Sequence, residues 1–126
     1  MPETLQTLHG IKILVCAPDG KKLRTDRDAV ELIGEAWGHE AQWVVIPTER
    51  LEEGFFELRN GMAGAVLSRF ATYKMRVAVV GDISGHVGGS SALRAFVRES
   101  NRGNQIWFVA GMEEFGGKLA AQRPTA

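Results

Sequence analysis

The residues best placed to do chemistry lie in one stretch, "VAVVGDISGHVGGSSALRAF", Val77 to Phe96. A run of small and β-branched residues stops at Gly81-Asp82. A loop rich in glycine and serine follows, and then a helical pattern. Strand, glycine-rich loop and helix are the parts of a phosphate cradle. The specific cradles are excluded. A Walker loop requires Gly-x-x-x-x-Gly-Lys-Ser/Thr, with the lysine on the phosphates, and no lysine occurs between Lys74 and Lys118. A dinucleotide fingerprint requires Gly-x-Gly-x-x-Gly directly after the first βα strand. Gly85, Gly88 and Gly89 have another spacing and another place. What survives is generic. Backbone N–H groups of Gly88, Gly89, Ser90 and Ser91 at a helix start can hold an anion, with Arg94 one turn into the helix. Ser84 and His86 add a hydroxyl and an imidazole. The competing reading is a loop whose Ser90 or Ser91 only caps the helix.

Asp82 falls at the carboxyl end of an expected central strand, where open α/β sheets bind ligands. An acid there can hold Mg2+ or a hydroxyl. The loop supplies no second carboxylate, and the alternative is a turn-forming aspartate. Arg94, Arg98 and Arg102 recur at i, i+4 and i+8, a stripe opposite the apolar residues of the same helix. That stripe suits phosphate, an acidic partner or the acidic half of another copy. It equally suits a solvated face. His9, His39 and His86 are far apart with no Cys/His pairing, so no zinc site is legible. Cys16 sits in an apolar run and reads as a buried, inert thiol. No cofactor is expected, and no catalytic residue is assigned.

The elements that must position these residues follow from the pattern. "TLQTLH" (4–9) and "IKILVC" (11–16), separated by Gly10, read as an antiparallel hairpin or one bent strand. "APDGKK" is a turn. Thr25 and Asp28 form a capping box with Asp in place of Glu. Ala29, Leu32, Ile33, Ala36 and Trp37 then give one apolar helix face. "QWVVIP" (42–47) is a short buried strand. Thr48 caps an expected helix whose Glu49, Glu52 and Glu53 suit its positive end. Leu51, Phe55 and Leu58 line one side of it. "NGMAG" breaks the pattern, and a further helix runs to about Tyr73 with Ala63, Val66, Leu67 and Phe70 inside. Gly61, Ala63, Gly64 and Ala65 permit close approach of another backbone, within the fold or from a second copy. "RVAVVG" shows no alternation and reads as a strand covered on both faces. Leu93, Phe96 and Val97 mark the next helix, "QIWFVA" the fifth strand, and "MEEFGGKLAA" a last helix weakened by Gly116-Gly117. A tail follows from about residue 122. The order β-β-α-β-α-β-α-β-α predicts a single α/β domain over 1–126. It has three layers: a mainly parallel five-stranded sheet with an N-terminal antiparallel hairpin strand, and helices on both faces. Trp37, Phe55, Phe70, Val79, Phe96 and Phe108 are the expected core.

The chain of 126 residues has the size of one domain, and 44% apolar with 24% charged residues places it among globular proteins. A formal net charge of zero argues against dedicated nucleic-acid binding. Residues 1–63 hold seven basic and eleven acidic residues, net −4, and residues 64–126 hold eight and four, net +4. This asymmetry and the small-residue helix start predict a homodimer. A single cysteine fits a reducing cytoplasm. The chain shows no secretory leader and no run of roughly 20 apolar residues to span a bilayer.

Residues 54–82, "GFFELRNGMAGAVLSRFATYKMRVAVVGD", with "ESNRG" (99–103) and "FV" (108–109), resemble a small bacterial family of domains of unknown function, the one numbered forty-one eighty. The resemblance covers nearly the whole chain, implies a cytoplasmic single domain and brings no activity with it. The element order also resembles that of STAS domains, of the anti-sigma-factor-antagonist type. "YKMRVAVVGD" (73–82) is similar to a strand in a STAS-like lipid-binding group. STAS switches carry a phosphorylatable Ser or Thr after the third strand. Here "VVIPTERLEE" (44–53) offers only Thr48, and "DISG" (82–85) follows the fourth strand instead. The resemblance implies a non-enzymatic regulatory or binding module, partnered by a protein or a small anionic ligand. The alternative is a small enzyme or phosphate receptor centred on Asp82, Ser84, His86 and Ser90.

Overall fold

The structure is a computed structural model that describes residues 3–122, and the expected tail lies outside them. Strands β1 (Glu3–Leu8) and β2 (Ile11–Cys16) form an antiparallel hairpin in register from Glu3↔Cys16 to Leu8↔Ile11. His9 and Gly10 between them both have positive φ, 52° and 81°. That is the two-residue turn whose twist matches the flanking strands. Strands β3 (Trp43–Pro47), β4 (Arg76–Val80) and β5 (Ile106–Val109) add in parallel, and the sheet order is β1-β2-β3-β4-β5.

Helices α1 (Asp26–Gly38), α2 (Met62–Thr72) and α4 (Ser91–Arg102) belong to one face of the sheet. There Leu14, Val44, Ile46, Val77 and Val79 meet Ala29, Ile33 and Ala36 of α1 and Val66, Leu67 and Phe70 of α2. On the other face Ile13, Trp43, Val45, Ala78 and Trp107 lie with Phe115 and Leu119 of α5 (Met112–Gln122). Strands β3 and β4 supply alternate residues to both cores, as strands covered on both sides do. This is the three-layer α/β fold that the pattern predicts.

Three expectations need correction. Trp37 is not core: it is 52% exposed and meets Tyr73 edge to face, with centroids 5.4 Å apart. The buried stripe of α1 ends at Ala36, and Trp37 lies at its margin. Phe96 is half-buried, at the rim of the first core. The helix expected from Thr48 does not form. A short 3-10 turn, Thr48–Arg50, gives way to Leu51, which makes a parallel bridge to Leu23, and a second 3-10 turn follows at Leu58–Asn60.

The reason is a set of competing partners. The N–H of Leu23 donates to the Arg50 carbonyl at 2.7 Å, and the N–H of Glu52 donates to the Leu23 carbonyl at 3.0 Å. Gly54 then turns the chain with φ 86°. Leu51 and Phe55 still reach the core, so their helical spacing survives without the helix. The buried Arg50 side chain holds this path. Its Nε donates to the Lys21 carbonyl at 2.6 Å, and its Nη1 to the Ala17 carbonyl at 3.0 Å and to Glu3 Oε2 at 2.7 Å. A Cβ on Gly20 would lie 2.5 Å from that Nη1, which explains the glycine.

The capping box of α1 is present as predicted. Asp28 N–H donates to Thr25 Oγ1 at 3.2 Å, while Arg24 and Thr25 N–H donate to Asp28 Oδ2 at 3.0 and 3.1 Å. Lys21 Nζ stands 3.1 Å from Oδ1. Partial burial pushes the Asp28 pKa up, but these hydrogen bonds overcome it and hold the value at about 2.

Two predictions follow from these contacts. Both side chains of the Arg50–Glu3 pair are 5% exposed. Removing one member leaves the other charge buried, which costs about 3–5 kcal/mol. Chemical denaturation of Arg50→Ala will show a loss of that size. For Asp28, the folded-state pKa lies below the unfolded value of about 3.9. Its stabilisation is therefore complete above about pH 4 and lost as pH falls through about 2. Asp28→Asn will cost about 1 kcal/mol at neutral pH. The gap to the wild type will close as the pH of the thermal scans approaches about 2.

Candidate functional site

Strands β3 and β4 end in register at Pro47↔Val80, so Thr48 and Gly81 emerge side by side. Gly81 has φ 148°, a region that side chains rarely adopt. A Cβ there would lie 2.5 Å from Thr48 Oγ1. The glycine lets the two chains leave the sheet in contact. Its N–H donates to the Val109 carbonyl at 2.9 Å, which fixes it against β5.

Asp82 makes the next turn. Its Oδ1 accepts the Ser84 N–H at 2.9 Å. That bond, and a second from the Ser84 hydroxyl, push its pKa below the usual carboxylate value. The segment expected as an irregular loop is instead the short helix α3 (Ser84–Gly88). Gly89 N–H donates to the His86 carbonyl at 3.3 Å and Ser90 N–H to the Val87 carbonyl at 3.2 Å. Ser90 Oγ accepts the Leu93 N–H at 3.1 Å and caps α4, which Ser91 opens. The chain thus uses for itself two of the amides that an anion cradle would need. Arg94, Arg98 and Arg102 are all exposed on α4, and Arg102 pairs with Glu99 at 3.1 Å.

The His86 ring stacks on Phe56, with centroids 4.9 Å apart and planes 30° from parallel. Phe56 in turn rests edge to face on the buried Phe55 at 5.4 Å. A hollow opens on each side of the stacked pair. One, of about 380 Å³, lies between residues 48–56 and Asp82, Ile83 and His86. Glu49, Glu52, Glu53 and Asp82 are in its wall, and that wall holds no lysine or arginine. The other, of about 440 Å³, lies between residues 56–59 and His86, Gly89, Ser90 and Ala92. The structure thus puts Asp82 and His86 in the wall of the first hollow and His86, Gly89 and Ser90 in that of the second, and leaves Ser84, Gly88, Ser91 and Arg94 outside both.

The missing part of the site is the segment 49–57. Its residue pattern predicts a helix, which would keep its carboxylates and Phe56 apart from the 82–90 stretch. The usable signal is "EEGFF", where a glycine interrupts a charged and aromatic run.

Chemically the first hollow suits a cation. Four carboxylates supply the field, and Phe55, Phe56 and Ile83 add an apolar part to the wall. A smaller hollow of about 200 Å³ lies beside Arg50 and Lys21. Most of its wall charges pair with one another, Arg50 with Glu3 and Lys21 with Asp28 and Glu31. Cys16, at the end of β2, is buried in the first core. Burial pushes its pKa up to about 12, so the thiol stays protonated at neutral pH. Among the described residues no three His, Cys, Asp or Glu side chains gather as a metal ion would need.

Fold and cleft define a three-layer α/β domain that opens at the carboxyl ends of its parallel strands, where such sheets take ligands. The chain belongs to the family described as Domain of unknown function (DUF4180), whose model matches residues 8–119. Searches among curated proteins and among solved structures return no match. Among the described residues no helix is long and apolar enough to cross a membrane.

The Gly81–Thr48 contact is directly testable. Gly81→Ala will destabilise the protein by about 1–3 kcal/mol, from the backbone strain alone, with the collision in addition. Combined with Thr48→Ala it will cost less than the sum of the two single changes. Urea unfolding of the four proteins in that cycle measures the coupling.

Proposed function

We propose that this domain is a binding module, and that its ligand carries a cationic head on an apolar or aromatic body. The ligand lies in the hollow between residues 48–56 and Asp82–His86. The observation that carries this reading is the set of four carboxylates beside the Phe56–His86 stack. A cation entering there gains from every wall charge, and a phosphate meets repulsion from the same charges. The field thus favours a cation over the anion suggested by the glycine-rich stretch. A binding role suits Asp82, which holds a turn and is ionised at neutral pH, so it has no proton to give as a general acid. The STAS-like element order supports a regulatory module in preference to an enzyme. The solitary buried thiol of Cys16 supports a reducing cytoplasm as its setting.

Calorimetric titration with phenethylammonium, and with inorganic phosphate as the opposite charge, tests this. Phenethylammonium will saturate the protein, and its affinity will fall about tenfold or more in Phe56→Ala and in the Glu52→Gln/Glu53→Gln double variant. It will also weaken as salt is raised. Phosphate saturating at micromolar concentration would replace this reading with the anion receptor. Amine binding that ignores all three substitutions would remove the hollow as the site.

A further inference from the structure

The two edges of the sheet are treated differently. The outer edge of β5 is plugged. Phe108 N–H donates to Asn101 Oδ1 at 2.7 Å, and Asn101 Nδ2 donates back to the Phe108 carbonyl at 3.1 Å. One side chain thus takes both outward backbone groups of the middle of a four-residue strand. Plugs of this kind stop a sheet from recruiting another strand. The outer edge of β1 has no such plug among the described residues. Its middle residues, Thr4 to Thr7, carry no charge, no proline and no glycine, and all four are exposed. Leu5 is 44% exposed. An open, uncharged edge with an exposed leucine is a surface that natural domains guard unless it pairs.

The geometry of the hairpin says which groups are free to pair. In a two-residue hairpin the closing residues, here Leu8 and Ile11, exchange their hydrogen bonds with each other. The pattern alternates, so Gln6 and Thr4 also bond inward, to Ile13 and Val15. The N–H and C=O groups of Glu3, Leu5 and Thr7 therefore point away from β2.

We infer that β1 pairs antiparallel with β1 of a second copy of this chain, about a two-fold axis at Leu5. The register follows from parity. Facing residues in an antiparallel pair share a side of the sheet, and outward-bonding residues must face outward-bonding residues. Leu5 opposite Leu5 satisfies both conditions and sets Glu3 opposite Thr7 at each end. It makes about six inter-chain backbone hydrogen bonds. A shift by two residues that centres Gln6 would push Glu3 against His9 in the turn and lose a third of them. Leu5, exposed in the single chain, then lies against its own symmetry mate, as self-complementary two-fold interfaces require. The ten strands form one continuous sheet whose ends are the two plugged β5 edges. The ligand hollows lie at β3 and β4 and stay open. This association therefore stands independently of the proposed ligand.

Light scattering across a concentration series, with amide hydrogen exchange read residue by residue, tests the inference. The protein will pass from monomer to dimer in the micromolar range. In the dimer the amides of Leu5 and Thr7 will become protected, while those of Thr4, Gln6 and Leu8 are protected throughout. Thr7→Pro removes only an outward N–H and leaves the hairpin ladder whole. It will raise the dissociation constant at least about tenfold, and Leu5→Lys will give a folded monomer. A strict monomer at about 500 µM would overturn the inference. So would a dimer in which Leu5 and Thr7 exchange freely, or one indifferent to both substitutions. If either variant fails to fold, the exchange pattern of the wild type decides alone.

Discussion

A single buried guanidinium governs the shape of this domain. The Arg50 side chain is buried together with that of Glu3, and it sits where three pieces of chain meet. Its hydrogen bonds reach Glu3 on β1 and the carbonyls of Ala17 and Lys21 in the turn after β2. Taking that charge out of water is tolerable only because carboxylate and carbonyls replace the lost solvent. The consequences run outward from it. Gly20 must lack a side chain, the backbone of 50–52 must pair with Leu23, and the chain after β3 cannot coil into a helix. The path of 3-10 and other turns that results carries Glu49, Glu52, Glu53 and Phe56 to the mouth of the sheet. The candidate site is thus a consequence of how a core charge is satisfied.

The residue pattern reveals the layers and conceals that path. Alternation is absent from "VVIP" and "RVAVV" because β3 and β4 are covered on both faces, and this is legible. The Thr25–Asp28 cap is legible because its chemistry is local. Residues 48–58 mislead because a cap-like threonine, early glutamates and a spacing of Leu51, Phe55 and Leu58 satisfy every local rule for a helix. What overrides them is a contact with Glu3, 47 positions away in the chain. No local pattern encodes it. Trp37 misleads in a smaller way: its spacing puts it on the apolar side of α1, but the contact with the sheet is narrower than that side.

The charge asymmetry between chain halves survives folding in part. The acidic wall of the first hollow comes largely from the first half, through Glu49, Glu52 and Glu53. The arginine stripe on α4 comes from the second. Asp82 crosses between them, held by Ser84 in a turn that presents His86 to Phe56. The glycine-rich stretch after β4 does build the site, by serving as a hinge between strand and helix. Two of its backbone amides close α3 and the Ser90 hydroxyl caps α4, while the carboxylates come largely from the opposite wall.

The cation-binding cleft proposed for the carboxyl ends of β3 and β4 is open to direct observation. A map of backbone amide chemical shifts during addition of phenethylammonium reads it most directly. Shifts will concentrate in residues 48–57 and 82–90 and spare the arginine stripe at 94–102. Shifts that fall elsewhere in the molecule, or that appear with phosphate at 88–94 and not with the amine, would contradict it.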